Sequence, residues 1–153
     1  MKQAFIIFIS AIISIACNDT KQIAVPSNER AAPGDATITD VFWSLTEVNG
    51  NPVVQAPDDK LIFIKLTSKD SKLFGNGGCN TMFGSFDLND GKKIKITVGS
   101  TKMACEGKRM EIETAFFNAL GQVDSYFIKG DTLQLFKAKM APLAKFEAKY
   151  FPR

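Results

Sequence analysis

From Trp43 onward the apolar and polar side chains mostly alternate. Trp43, Leu45 and Glu47 interleave with Ser44, Thr46 and Val48, the period of a half-buried strand. Val48-Asn49-Gly50-Asn51-Pro52-Val53 follows, with the Asn-Gly pair that favours a tight reversal. Residues 61–67 form a β-rich run, and residues 93–98 set Ile94, Ile96 and Val98 on one face against Lys95 and Thr97 on the other. Residues 125–128, 133–137 and 143–148 are short apolar segments, the first two separated by the turn signal Lys129-Gly130-Asp131. One stretch changes period: in 108–123, Ile112, Phe116, Leu120 and Val123 recur at helical spacing, with Glu111 and Glu113 near the positive helix start. The pattern predicts a mainly β domain, a small antiparallel barrel-like sheet with one helix of about fourteen residues packed on it or across one end. Trp43, Leu45, Ile94, Ile96, Phe116 and Leu120 are expected to be buried together, because the helix stripe has only the sheet to cover it.

The first forty residues follow neither period. Lys2, an apolar run from Ala4 to Ala16 and a small residue before Cys17 read as a secretory signal over 1–16. The run is shorter than the roughly 20 residues a helix needs to cross a bilayer. Ser14-Ile15-Ala16-Cys17 resembles a bacterial lipobox, with Ser14 where that pattern usually has Leu. Lipidation of Cys17 is the expected outcome, and an ordinary signal peptide with an incidental cysteine is the plainer alternative. Residues 17–40, polar and rich in Ala and Pro, read as a disordered tether, which starts the folded domain near Val41 and runs it over 41–153.

The chain has 153 residues, 45% of them hydrophobic with thirteen Phe, enough for one core. Its 19 basic and 16 acidic side chains are spread along the sequence, without the basic stripe that nucleic-acid binding needs. Three cysteines leave one over in an oxidising compartment. If Cys17 carries lipid, Cys79 and Cys105 remain as a pair, closing a loop of about 27 residues that the chain-entropy relation values at roughly 3.5 kcal/mol.

Candidate chemistry centres on Gly75-Asn76-Gly77-Gly78-Cys79-Asn80-Thr81-Met82-Phe83-Gly84-Ser85-Phe86. A phosphate loop would need Lys-Ser/Thr and a helix start after the glycines, but Asn80-Thr81-Met82-Phe83 leads towards another strand. The dinucleotide fingerprint fails too, since Asn80 stands where the third glycine belongs. The glycines are better read as serving a bend that brings one strand close to the segment 101–105. With no histidine, His-dependent triads and zinc proteases are excluded. Two cysteines with 25 residues between them make a poor metal or redox motif. Glu106, Glu111 and Glu113 could pair as acid and base, but a solvated helix start explains them more simply. No spacing singles out a Ser-Lys pair. Catalytic, cofactor-binding and metal-binding residues are therefore all expected to be none.

Taken together, Trp43-x-Leu45, Val48-Asn49-Gly50, Gly75-Asn76-Gly77-Gly78-Cys79-Asn80, Phe83-Gly84-Ser85-Phe86, Thr101-Lys102-Met103-Ala104-Cys105 and Gly130-Asp131-Thr132-Leu133-x-Leu135 resemble the META domain, or HslJ-like, family. The likeness runs from about Trp43 to Phe146. It implies a small β-barrel-like domain with a Cys79–Cys105 disulfide, in exported and lipid-anchored bacterial proteins linked to heat shock, motility and antibiotic tolerance. It makes Gly75, Gly77, Gly78, Asn80, Thr101 and Met103 structural motif residues and supplies no catalytic ones.

The expected function is a monomeric, lipid-anchored, non-enzymatic envelope protein that binds another envelope component or supports envelope integrity under stress. Its expected partners are the membrane, through the N-terminal lipid, and an envelope protein. One alternative is a carrier of a small apolar ligand, with Phe63, Phe74, Phe83, Phe86, Phe116 and Phe117 lining the interior. Small barrels are more often filled by their own side chains. Another is a protease inhibitor or enzyme acting through an exposed loop.

Overall fold

The computed structural model describes residues 36–56, 59–105 and 107–151. The signal segment, Cys17, the tether as far as residue 35 and Glu106 lie outside the described residues. The strands are β1 (Phe42–Val48), β2 (Asn51–Pro52), β3 (Phe63–Thr67), β4 (Lys72–Asn76), β5 (Thr81–Asn89), β6 (Lys93–Ser100), β7 (Ser125–Lys129), β8 (Thr132–Phe136) and β9 (Ala144–Lys149), and the helix α1 (Lys108–Leu120) lies between β6 and β7. Neighbours pair antiparallel in the order β2-β1-β3-β4-β5-β6-β7-β8-β9, and β1 also pairs with β9, so the sheet closes into a barrel-like ring. The ring is thinnest between β6 and β7, which share the pair Lys93↔Ser125.

Inward side chains of the strands meet α1, which packs against β1, β6 and β9. Trp43, Leu45, Ile94, Ile96, Phe116 and Leu120 are all buried in one core, as the two periods predict. The Asn-Gly reversal forms as expected: Asn49 and Gly50 have φ 49° and 79°, the left-handed pair that joins two strands with the sheet's own twist.

Three features depart from the sequence pattern. In β1 the alternation slips at a bulge, where Leu45↔Phe146 is followed by Glu47↔Lys145. The extra residue, Thr46, turns Val48 inward and leaves Glu47 to pair with Lys145 at 2.9 Å. Residues 36–40, expected in the tether, pack on the domain: Ile38 is buried, and its carbonyl accepts the Trp43 indole N–H at 3.0 Å. Finally, Gly75 and Gly84 do not serve the bend expected of the glycines. They sit inside β4 and β5, where Phe63 and Thr97 backbone oxygens occupy the space a Cβ would need.

Candidate functional site

The glycine-rich stretch folds as the end of β4, a tight turn and the start of β5. Asn76 accepts the Gly78 N–H on its side-chain oxygen at 2.8 Å, Gly77 N–H donates to the Asn80 carbonyl at 2.9 Å, and Gly78 has φ 109°. The turn thereby presents successive N–H groups of Cys79 and Asn80 towards α1.

What receives them is Glu113. Expected at a solvated helix start, it is instead 6% exposed. It lies on the same helix face as Phe116 and Leu120, three and seven residues on. Its Oε2 accepts the N–H of Asn80 at 2.6 Å and of Cys79 at 3.1 Å, and its Oε1 accepts the Asn80 side-chain N–H at 2.6 Å. None of these donors is a cation. Gly77 is required beside it, since a Cβ there would stand 2.7 Å from both Cγ and Oε2 of Glu113.

Asn80, 3% exposed, links this carboxylate to the segment 101–105. Its amide also donates to the Met103 carbonyl at 3.1 Å, while its oxygen accepts the Thr101 hydroxyl at 2.8 Å and the Met103 N–H at 2.7 Å. Both ends of the amide are thus fully used. Thr101 closes the ladder to β5, exchanging its N–H with the Thr81 carbonyl at 3.1 Å and accepting the Thr81 N–H on Oγ1 at 3.2 Å. Met103 contributes its backbone, and its side chain is exposed.

A disulfide between Cys79 and Cys105, with α-carbons 6.1 Å apart, fastens the same turn to the same segment. Cys79, Asn80, Thr101 and Met103 are thereby brought together, with Gly77 against Glu113 and Gly78 in the turn against Ile62; Gly75 stands apart inside β4. Glu113 is the member that the sequence reading placed wrongly.

The arrangement is a knot of three segments with its polar capacity spent internally. Among the described residues no buried side-chain nitrogen or oxygen lacks a partner, and no three His, Cys, Asp or Glu side chains group as metal ligands would. A small pocket of about 30 Å³, room for roughly one water, touches the knot's edge at Ile62, Gly78 and Ile112. The six Phe side chains of the carrier alternative do not converge: Phe86 and Phe116 are in the core, whereas Phe74 and Phe83 are exposed. A carboxyl held below its ordinary range lies elsewhere. Asp124 accepts the Ser125 hydroxyl at 2.7 Å and the Ala138 N–H at 2.8 Å, with Lys93 and Lys137 adding positive charge nearby.

The META domain family model matches residues 36–150. An NMR structure of a protein from Burkholderia xenovorans is 27% identical, with 81% of this chain and 96% of that one covered and a TM-score of 0.58. A second NMR structure, 20% identical, covers 73% of this chain and 94% of its own, with a TM-score of 0.57, and shares the fold. No curated protein matches the chain.

Proposed function

Because the chain belongs to the META domain family, we propose that it acts as a lipid-anchored, non-enzymatic module of the bacterial envelope whose outer surface meets a partner. The observation that carries this reading is the spent state of the motif. Glu113 and Asn80, the buried polar pair around which the family's specific residues gather, make their hydrogen bonds to one another, to the Thr101 hydroxyl and to adjacent backbone. A general acid or base needs a face open to substrate, and here the carboxylate has Gly77 against it and the Cys79 and Asn80 N–H groups on its oxygen. The motif thus serves to make a rigid body, and recognition falls to what that body displays.

The location rests on Ser14-Ile15-Ala16-Cys17 and the odd cysteine that remains once Cys79 and Cys105 are joined. Mass spectrometry of the mature N-terminus, on protein recovered from a bacterial host that exports the full chain, tests it. The expected product starts at Cys17 and carries acyl chains. An unmodified Cys17, or cleavage elsewhere, removes the anchor. Crosslinking in intact cells then identifies what the displayed surface touches.

A further inference from the structure

We infer that a ribbon of phenylalanines on the outside of the barrel is a membrane-docking face, seated at the headgroup boundary of an anionic bilayer. This deepens the envelope reading, since it takes the partner to be the bilayer to which Cys17 would be fixed.

In most of the ring the alternation is ordinary. On β8 and β9 the inward Leu133, Leu135, Ala144 and Phe146 alternate with outward Gln134, Lys145 and Glu147. From β1 to β5 it is not. Trp43, Ile64, Leu73 and Met82 fill the interior, yet their neighbours in the same strands, Phe42, Phe63, Phe74 and Phe83, turn outward. Successive strands bring them into one row. Phe42 lies 5.3 Å from Phe63 and 5.1 Å from Phe151, centroid to centroid, and Phe63 lies 5.9 Å from Phe74. Phe74 stands directly across from Phe83, whose ring covers Gly99. Phe74, Phe83 and Phe151 are 51%, 53% and 52% exposed. Five adjoining rings on one face exceed the scattered apolar side chains of an ordinary surface.

The ionic neighbours select the occupant. Lys65 places its ammonium 4.7 Å from the Phe42 ring, Lys72 lies two residues before Phe74 on the same face of β4, and Lys149 pairs across from Phe42. Glu147 and Lys149 offset each other at 2.7 Å, so the excess positive charge beside the rings comes from Lys65 and Lys72. Protein interfaces also favour Phe but are poor in Lys, so it is the lysines beside the rings that favour the boundary between acyl chains and anionic headgroups.

Chain order points the same way. Residues 36–41 run directly into Phe42. The 19 steps from Cys17 to Ala36 span at most about 65 Å even when fully extended. A Cys17 held in a bilayer therefore leaves the first ring of the ribbon within reach of the same surface.

The test uses the full chain carrying Phe74→Trp, mixed with vesicles of phosphatidylethanolamine and phosphatidylglycerol, plain or with brominated acyl chains. Trp43 is fully buried and supplies a constant background. The introduced indole is expected to lose about half its emission or more in the brominated vesicles. The loss should shrink when Lys65→Glu and Lys72→Glu are added. Phe127→Trp, on β7 and also beside a lysine, should keep its emission. Equal emission of the Phe74→Trp protein in plain and brominated vesicles overturns the inference. So does a shift that tracks protein concentration without vesicles, which would make the ribbon a contact between copies. Mass spectrometry of the same preparation separates the two readings. Quenching with an unmodified Cys17 keeps the ribbon and removes the anchor, and a lipidated Cys17 without quenching does the reverse.

Discussion

The knot around Glu113 and the ribbon from Phe151 to Phe83 break the same rule in opposite directions. One buries a carboxylate and an amide, and the other exposes aromatic rings. In the knot, every buried polar atom has a partner within a few residues of the disulfide, so the interior itself explains why those residues are there. In the ribbon, nothing inside the barrel needs the outward rings, because Trp43, Ile64, Leu73 and Met82 already fill the space beneath them. A departure that the fold accounts for belongs to stability. One that it leaves unexplained points to the surroundings of the molecule.

Substitutions can break this contrast, and the largest effects should fall in the knot. Glu113→Ala removes the acceptor of three buried N–H groups and is expected to cost roughly 3–5 kcal/mol in urea unfolding. That matches Phe116→Ala, an ordinary core truncation of about 3–5 kcal/mol. A loss below about 1 kcal/mol for Glu113→Ala would mean that water reaches those donors and that the knot is not a closed brace.

Reducing the Cys79–Cys105 bridge, or replacing both cysteines by Ser, should cost roughly 2–4 kcal/mol. Neither thiol should alkylate in the folded oxidised protein. Rapid alkylation of Cys79 without reductant would instead return it to the reactive thiols. Gly77→Ala should cost about 1–3 kcal/mol, because its methyl would press on Glu113. Restored stability in the double variant with Glu113→Ala would show that this contact is the cause.

The ribbon should respond differently. Phe74→Ser and Phe83→Ser are expected to change stability by no more than about 0.5 kcal/mol, and Phe83→Ser added to Phe74→Trp should weaken the quenching of the introduced indole in brominated vesicles. A loss comparable to that of Phe116→Ala would make the ribbon part of the core and erase the contrast.

The smallest effect concerns Asp124, outside both regions. Its carboxyl is held below the ordinary 3.8 by the Ser125 hydroxyl first and the Ala138 N–H next. Its contribution is therefore full above that ordinary value and is lost as pH falls through the lowered folded one. Asp124→Asn should lower stability slightly at neutral pH, where the charged carboxyl contributes, leave it almost unchanged at low pH, and so flatten the acid limb of the stability profile. A larger change at acid than at neutral pH would contradict the assignment.

Much of this architecture was written locally. The period of two marked β1, β6 and the short strands of the C-terminal half, Asn49-Gly50 marked the first hairpin, and Ile112, Phe116 and Leu120 marked α1. The Cys79–Cys105 bridge was legible through the family resemblance and, given a lipidated Cys17, through the cysteine count. β4 was hidden, and β5 was visible only as a strand to come after Asn80, because Gly75 and Gly84 interrupt their apolar pattern. Those gaps are needed only because neighbouring backbone passes there. The bulge at Thr46 was hidden for a similar reason, since the extra residue is defined by the partner strand β9.

The fate of Glu113 shows the same division. Its spacing to Phe116 and Leu120 placed it on the buried face, a signal overridden by the habit of reading a carboxylate near a helix start as solvated. Periodicity and composition determined which residues share a face and which can turn the chain. Only the closed sheet decided which face meets water, which meets a carboxylate and which meets neither, because burial is a relation between segments distant in sequence.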